Sequence, residues 1–123
     1  MIIKLNGVDY EVSTKLGVAY DIEFTKKRKI SDIVSGELDI KGIIEIIYFG
    51  FKKKNSGITL KEFEELVLNA DDMSYITLQK EFSVFSNLLV STEKTEEEVR
   101  EMVEKVFKAK KEELEEELNN EKN

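Results

Sequence analysis

The chain opens on a two-residue rhythm and then changes to a helical one. In MIIKLNGVDYEV, apolar residues at positions 2, 3 and 5 precede Asn6-Gly7, after which Val8, Tyr10 and Val12 alternate with Asp9 and Glu11. Such alternation gives a strand one apolar face and one wet face. An Asn-Gly pair readily takes the positive dihedrals of a type I′ turn, so residues 2–5 and 8–12 are predicted to form a hairpin. A lone two-stranded hairpin is marginal in water, so the Val8/Tyr10/Val12 face is expected to lie on helices.

The stretch STKLGVAYDIEFTKKRKI at 13–30 carries two patterns at once. Leu16, Ala19, Tyr20 and Phe24 share a helical face that Ser13 or Thr14 can cap. Val18, Tyr20, Ile22 and Phe24 also alternate as a third strand would. The helix is preferred, in part on a resemblance given below. ISDIVSGELD at 30–39 predicts a short helical turn ending near Gly36.

From there the period is helical throughout. Asp39 caps a helix through IKGIIEIIYFGFKKK to about Lys54. Its face of Ile40, Ile43, Ile44, Ile47, Tyr48 and Phe51, widened by Ile46 and Phe49, predicts a central place in the core. Gly42 and Gly50 either permit close packing there or lower its stability. KNSG at 54–57 breaks the run. Thr59 with Glu62 forms a capping-box pattern before a helix whose inner face is Leu60, Phe63, Leu66 and Val67. The turn NADD leads to Ser74 or Asp72 as the next cap. Residues 75–90 then space Tyr75, Leu78, Phe82, Phe85, Leu88 and Leu89 helically. Thr95 with Glu98 repeats the capping pattern before a helix of about 96–118. That helix carries Val99, Met102, Val103, Val106 and Phe107 on one face. Beyond Phe107 the pattern thins to Ala109, Leu114 and Leu118, and the last turns are expected to project or fray.

The predicted fold class is therefore α+β, mainly α: an N-terminal β-hairpin packed on a small bundle of four to five helices. Residues 1–95 form the hairpin and helical core. Residues 96–123 form an acidic C-terminal helix and frayed tail belonging to the same domain. A length of 123 residues suits one domain with a modest core.

Composition removes several classes of chemistry. The chain has no Cys and no His, hence no disulfide framework, no thiolate nucleophile and no imidazole base or ligand. The net charge of −7 is uneven, because residues 91–123 hold 12 of the 26 acids but 7 of the 19 bases. An acidic chain disfavours nucleic acid as a partner. The runs Lys26–Lys29 and Lys52–Lys54 read as solvated cations at helix C-termini. They also admit contact with an acidic partner or nucleic acid. IIEIIYFGF is far too short to span a membrane, and no targeting segment is visible, so an intracellular, soluble protein is expected.

No phosphate loop, metal-ligand spacing or nucleophile constellation is present, so no enzyme and no cofactor are expected. Asp71-Asp72 reads as a capping turn, with Mg²⁺ chelation as the other reading. Glu62, Glu64 and Glu65 read as helix-surface acids rather than an acid/base pair. Glu45, inside the Ile-rich helix, either faces solvent or lines a polar seam or pocket. The four tyrosines read as amphipathic packing residues. What remains is recognition of another protein. The stripe Val99, Val103, Val106 and Phe107 either completes the core or meets a second subunit or a partner helix.

The order of pieces resembles a known family. MIIKLNGVDYEV runs into STKLGVAYDIEF, followed by ISDIVSG, the apolar IIEIIYFGFKKK and the capped GITLKEFEELVLNADD. Over residues 1–90 this layout is similar to the tail assembly chaperones of long-tailed bacteriophages and prophages. The resemblance implies a non-enzymatic factor in the cytoplasm of the bacterial host. Such a factor binds and solubilises the tape measure protein, assists assembly of the tail tube protein around it, and is absent from the mature virion. It also implies a capacity for self-association and, in some members, a frameshift-extended form. The family supplies no catalytic residues to carry over.

Overall fold

The computed structural model describes residues 1–91 and 93–121. The Ile-rich segment at the middle of the chain becomes its central helix, α3 (Ile40–Lys54), numbered after α1 (Leu16–Lys26) and α2 (Ile30–Ser35). Asp39 caps α3 by accepting from the Gly42 N–H at 2.7 Å, and Lys52, Lys53 and Lys54 sit where the helix dipole is negative. Ile43, Ile44, Ile46, Ile47 and Phe51 are all buried. So wide an apolar face needs neighbours on several sides. They are α1, α4 (Leu60–Leu68), α5 (Tyr75–Val90) and the second strand of the hairpin. The last helix, α6 (Glu96–Glu121), packs on α5. The described residues thus hold a hairpin on six helices, one more than the upper count expected.

The hairpin consists of β1 (Ile2–Leu5) and β2 (Val8–Glu11), with Ile3 opposite Tyr10 and Leu5 opposite Val8. Asn6 at φ 53° and Gly7 at φ 77° make the two-residue turn. The ladder continues one step further, through the Val12 N–H to the Met1 carbonyl at 2.7 Å. β1 lies deeper than β2. Ile3 and Leu5 are fully buried, Tyr10 rests on Phe51 with ring centroids 5.7 Å apart, and Val12 is buried past the strand's end. Val8 departs from the expected inner face. It lies beside the turn at the rim and is half exposed.

Residues 18–24 are helical, which resolves the double pattern. The face, however, is not the one expected. Val18, Ala19 and Ile22 are buried, while Leu16, Tyr20 and Phe24 point to solvent. Apolar residues surround α1 on so many sides that periodicity alone does not choose a face. The small and β-branched side suits close approach to α3, and ion pairs hold that orientation. Lys53 meets Asp21 at 2.7 Å and Lys26 meets Glu45 at 3.3 Å. The helix ends at Lys27 in the left-handed region, and the Glu23 carboxylate accepts from the Ile30 N–H at 2.7 Å, leading the chain into α2.

The capping signals of α3 to α6 are realised, but neither Ser13 nor Thr14 caps α1, which starts after Lys15 with no side-chain cap; the Ser13 hydroxyl instead accepts from the Lys15 N–H at 3.4 Å. Thr59 and Glu62 form a reciprocal capping box at α4. Ser74, not Asp72, caps α5 through the Thr77 N–H at 3.1 Å. Thr95 accepts from the Glu98 N–H at 3.2 Å at the start of α6. Phe51 and Phe63 stack at 4.2 Å between centroids, joining α3 to α4. The Tyr48 hydroxyl donates to the Ile58 carbonyl at 2.6 Å, a polar exit from an apolar neighbourhood. Tyr75, expected inside, is exposed at the first turn of α5. The helix of α6 runs to Glu121, past the expected end near 118, and its side chains from Lys108 to Asn120 are exposed.

Gly50 is where α3 and the segment leaving the hairpin meet. The Ser13 N–H donates to the Gly50 carbonyl at 3.0 Å. A Cβ on Gly50 would collide with the Ser13 carbonyl oxygen and lie 2.8 Å from both Val12 and the Phe85 ring. Close packing, not helix weakening, explains this glycine. Gly50→Ala is expected to destabilise the fold by about 3 kcal/mol through overpacking, outweighing any gain in helix propensity. Urea unfolding followed by circular dichroism measures this.

Candidate protein-binding site

The apolar stripe on α6 is divided by the structure. Val99 and Val103 are buried against Val84 of α5 in a small cluster that Phe107, Leu88 and Met1 border. Val106 is 48% exposed and points away from that cluster. Three of the four residues are thus brought together within one chain, and the fourth lies outside.

Arg100 holds this half of α6 in place. Its guanidinium is bidentate to the Glu81 carboxylate at 2.9 and 3.1 Å, bonds Glu96 at 2.9 Å and donates to the Ile2 carbonyl at 2.8 Å. The planar fork matches that set of acceptors, ties together α5, α6 and β1, and raises the guanidinium pKa further, chiefly through Glu81. Partial burial by itself would raise the Glu96 carboxyl. The Arg100 hydrogen bond and the nearby amino terminus, 3.7 Å away, outweigh it and hold the carboxyl below its ordinary value.

The acidic candidates also find structural partners. Asp72 places Oδ1 2.7 Å from the Asn6 N–H and Oδ2 2.8 Å from the Gly7 N–H, and the Asn6 side chain accepts from the Asp71 N–H at 2.9 Å. The type I′ turn is thus locked to the α4–α5 loop by its own backbone donors. The bonds from Gly7, then Asn6, hold the Asp72 carboxyl below its ordinary value. Among the described residues no group of three or more metal-ligating side chains occurs. Glu45 is taken by Lys26 and Glu62 by the capping box. Lys27 lies over the Phe24 ring at 4.3 Å and Lys52 over Phe49 at 4.8 Å. Among the described residues no helix is long and apolar enough to cross a membrane.

Two surfaces outside the predicted stripe have the chemistry of protein recognition. The first is on α1. Leu16, Tyr20 and Phe24, one turn apart, are 81%, 65% and 64% exposed. The Tyr20 and Phe24 rings run nearly parallel, 13° apart in plane and 6.3 Å between centroids. The second is a groove of about 1000 Å³ between residues 34–38, the start of α5 and the outer part of α6. Ile43, Phe82 and Phe107 line it, with Lys80, Lys105 and Lys108 among its cations. The double periodicity of residues 16–24 was the sequence signal for the first surface. The groove has no counterpart in the sequence, because it exists only between segments far apart in the chain.

The Asp72 lock has a pH signature. Because its carboxyl titrates below the ordinary value when folded, its contribution is complete above the ordinary aspartate range and disappears as pH falls through the lowered folded value. Asp72→Asn is therefore expected to lower the thermal midpoint at neutral pH and to narrow its gap from the wild type below about pH 4. Melting curves across that range measure it.

No family model, no curated protein and no solved structure matches this chain.

Proposed function

We propose that this chain is a protein-binding assembly factor without catalytic activity, of the phage tail assembly chaperone kind. In this reading it binds and solubilises the tape measure protein in the host cytoplasm, assists tail tube assembly, and leaves before the particle is complete. The observation that carries the reading is the exposed Leu16/Tyr20/Phe24 stripe on α1. A helix face with two stacked aromatic rings and a large aliphatic residue, one turn apart, suits an apolar helical segment laid along it. The order of hairpin, helix, short helix, apolar helix and capped helix supports the same reading. Metal-independent protein binding also accords with the engagement of Asp72, Glu45 and Glu62 in structural contacts.

A second reading, a small structural or regulatory protein that forms a defined oligomer, draws on the lysine-rimmed groove. The two diverge in what they require of the tape measure protein.

Co-expression with tape measure fragments from the chain's own gene neighbourhood is expected to keep those fragments soluble and to yield a co-purifying complex. Leu16→Asp combined with Phe24→Asp is expected to weaken capture about tenfold or more, because two apolar anchors become charged, while the melting temperature stays near the wild type. Fragments that remain insoluble beside the wild-type chain, or capture unchanged by the double substitution, would overturn the reading.

A further inference from the structure

The outer half of α6 reverses sign along its length. Residues 105–111 contain Lys105, Lys108, Lys110 and Lys111 and no acid, whereas residues 112–118 contain five glutamates and no base, with Leu114 and Leu118 between them. The lysine part belongs to the groove, where Lys80 of α5 adds a further cation and Ile43, Phe82 and Phe107 form an apolar lining. Glu104, at the groove's edge, already bonds Lys80 at 3.1 Å, and Glu37 stands on the side formed by residues 34–38. The acidic part is exposed along its length: Leu114, which also lines the groove, is 60% exposed, and Leu118, one turn on, is 56% exposed.

We propose that the groove is filled by the acidic part of α6 from a second copy of this chain, reciprocally, about a two-fold axis. The argument is charge complementarity. Laid antiparallel, two α6 helices set the lysine part of each against the glutamate part of the other, twice over. Laid parallel, they set like against like. Leu114 and Leu118, at i and i+4, present the pair of apolar knobs that a lysine-rimmed apolar groove can bury. A helix about 10 Å across is a suitable occupant for a groove of this size. Both halves of the interface lie on every copy, so the pairing closes on itself and stops at two. It rests on the defined-oligomer reading of this groove, uses a different face from the α1 stripe, and is tested separately from capture of the tape measure protein.

Sedimentation equilibrium on the full chain tests this. A dimer is expected at about 50 mM salt, weakened about tenfold or more at about 500 mM as exposed charges are screened. Leu114→Asp with Leu118→Asp is expected to give a monomer whose helical circular dichroism is retained. Two charge-reversed chains supply the decisive arm, one with Lys105, Lys108 and Lys111 each changed to Glu and the other with Glu113, Glu116 and Glu117 each changed to Lys. Each chain alone is expected to be monomeric, because its groove and its α6 end then carry the same sign. Their mixture is expected to form a heterodimer. A wild-type chain that stays monomeric at low salt would overturn the proposal. So would a dimer indifferent to both sets of reversals, or reversed chains that fail to pair when mixed.

Discussion

Everything in this fold is arranged around the contact between the backbone of Ser13 and the backbone of Gly50. The hydrogen bond there joins the exit of the hairpin to the C-terminal third of the central helix, and Val12 and the Phe85 ring close over the same glycine. A side chain at that point would hold the hairpin away from α3. Tyr10 would then lose Phe51, and Ile3 and Leu5 would lose the apolar surroundings that make a two-stranded hairpin stable in water.

A second set of constraints acts through charge. The hairpin is held at both ends by groups distant in sequence. Asp72 grips its turn, and Arg100, through Ile2, grips its first strand. Arg100 also binds Glu81 and Glu96, so the first half of α6 is fixed to α5 by a planar, multiply bonded cation as well as by Val99 and Val103. Past Phe107 those attachments end. The helix continues as an exposed rod whose lysines border a groove and whose glutamates do not.

Local signals were legible because they act over short distances. Asn6-Gly7 specifies its turn through two positive dihedrals. Asp39, Thr59, Ser74 and Thr95 specify helix starts by accepting from the N–H three residues on. The burial of α3 was legible too, since a helix apolar on most sides must be central. The orientation of α1 was not. Its residues fit a helical face of Leu16, Ala19, Tyr20 and Phe24 as well as a strand, and the face that is buried is set instead by Asp21–Lys53, Lys26–Glu45 and the tight fit of Val18, Ala19 and Ile22. The α6 stripe is one unit by spacing, but packing on α5 buries Val99 and Val103 and leaves Val106 outside.

The amino-acid sequence by itself therefore determined the order of the elements, the type of those other than α1, the caps of α3, α4 and α6, the absence of imidazole and thiol chemistry, and the acid-rich end of the chain. Each of these depends on residue identity or on interactions within about one helical turn. Tertiary structure alone decided which face of α1 meets water, that Asp72 serves the hairpin instead of α5, and that lysines from α5 and α6 border one groove. Those outcomes depend on which distant segments can approach closely, and backbone clearance at Gly50 and paired charges across helices set that approach.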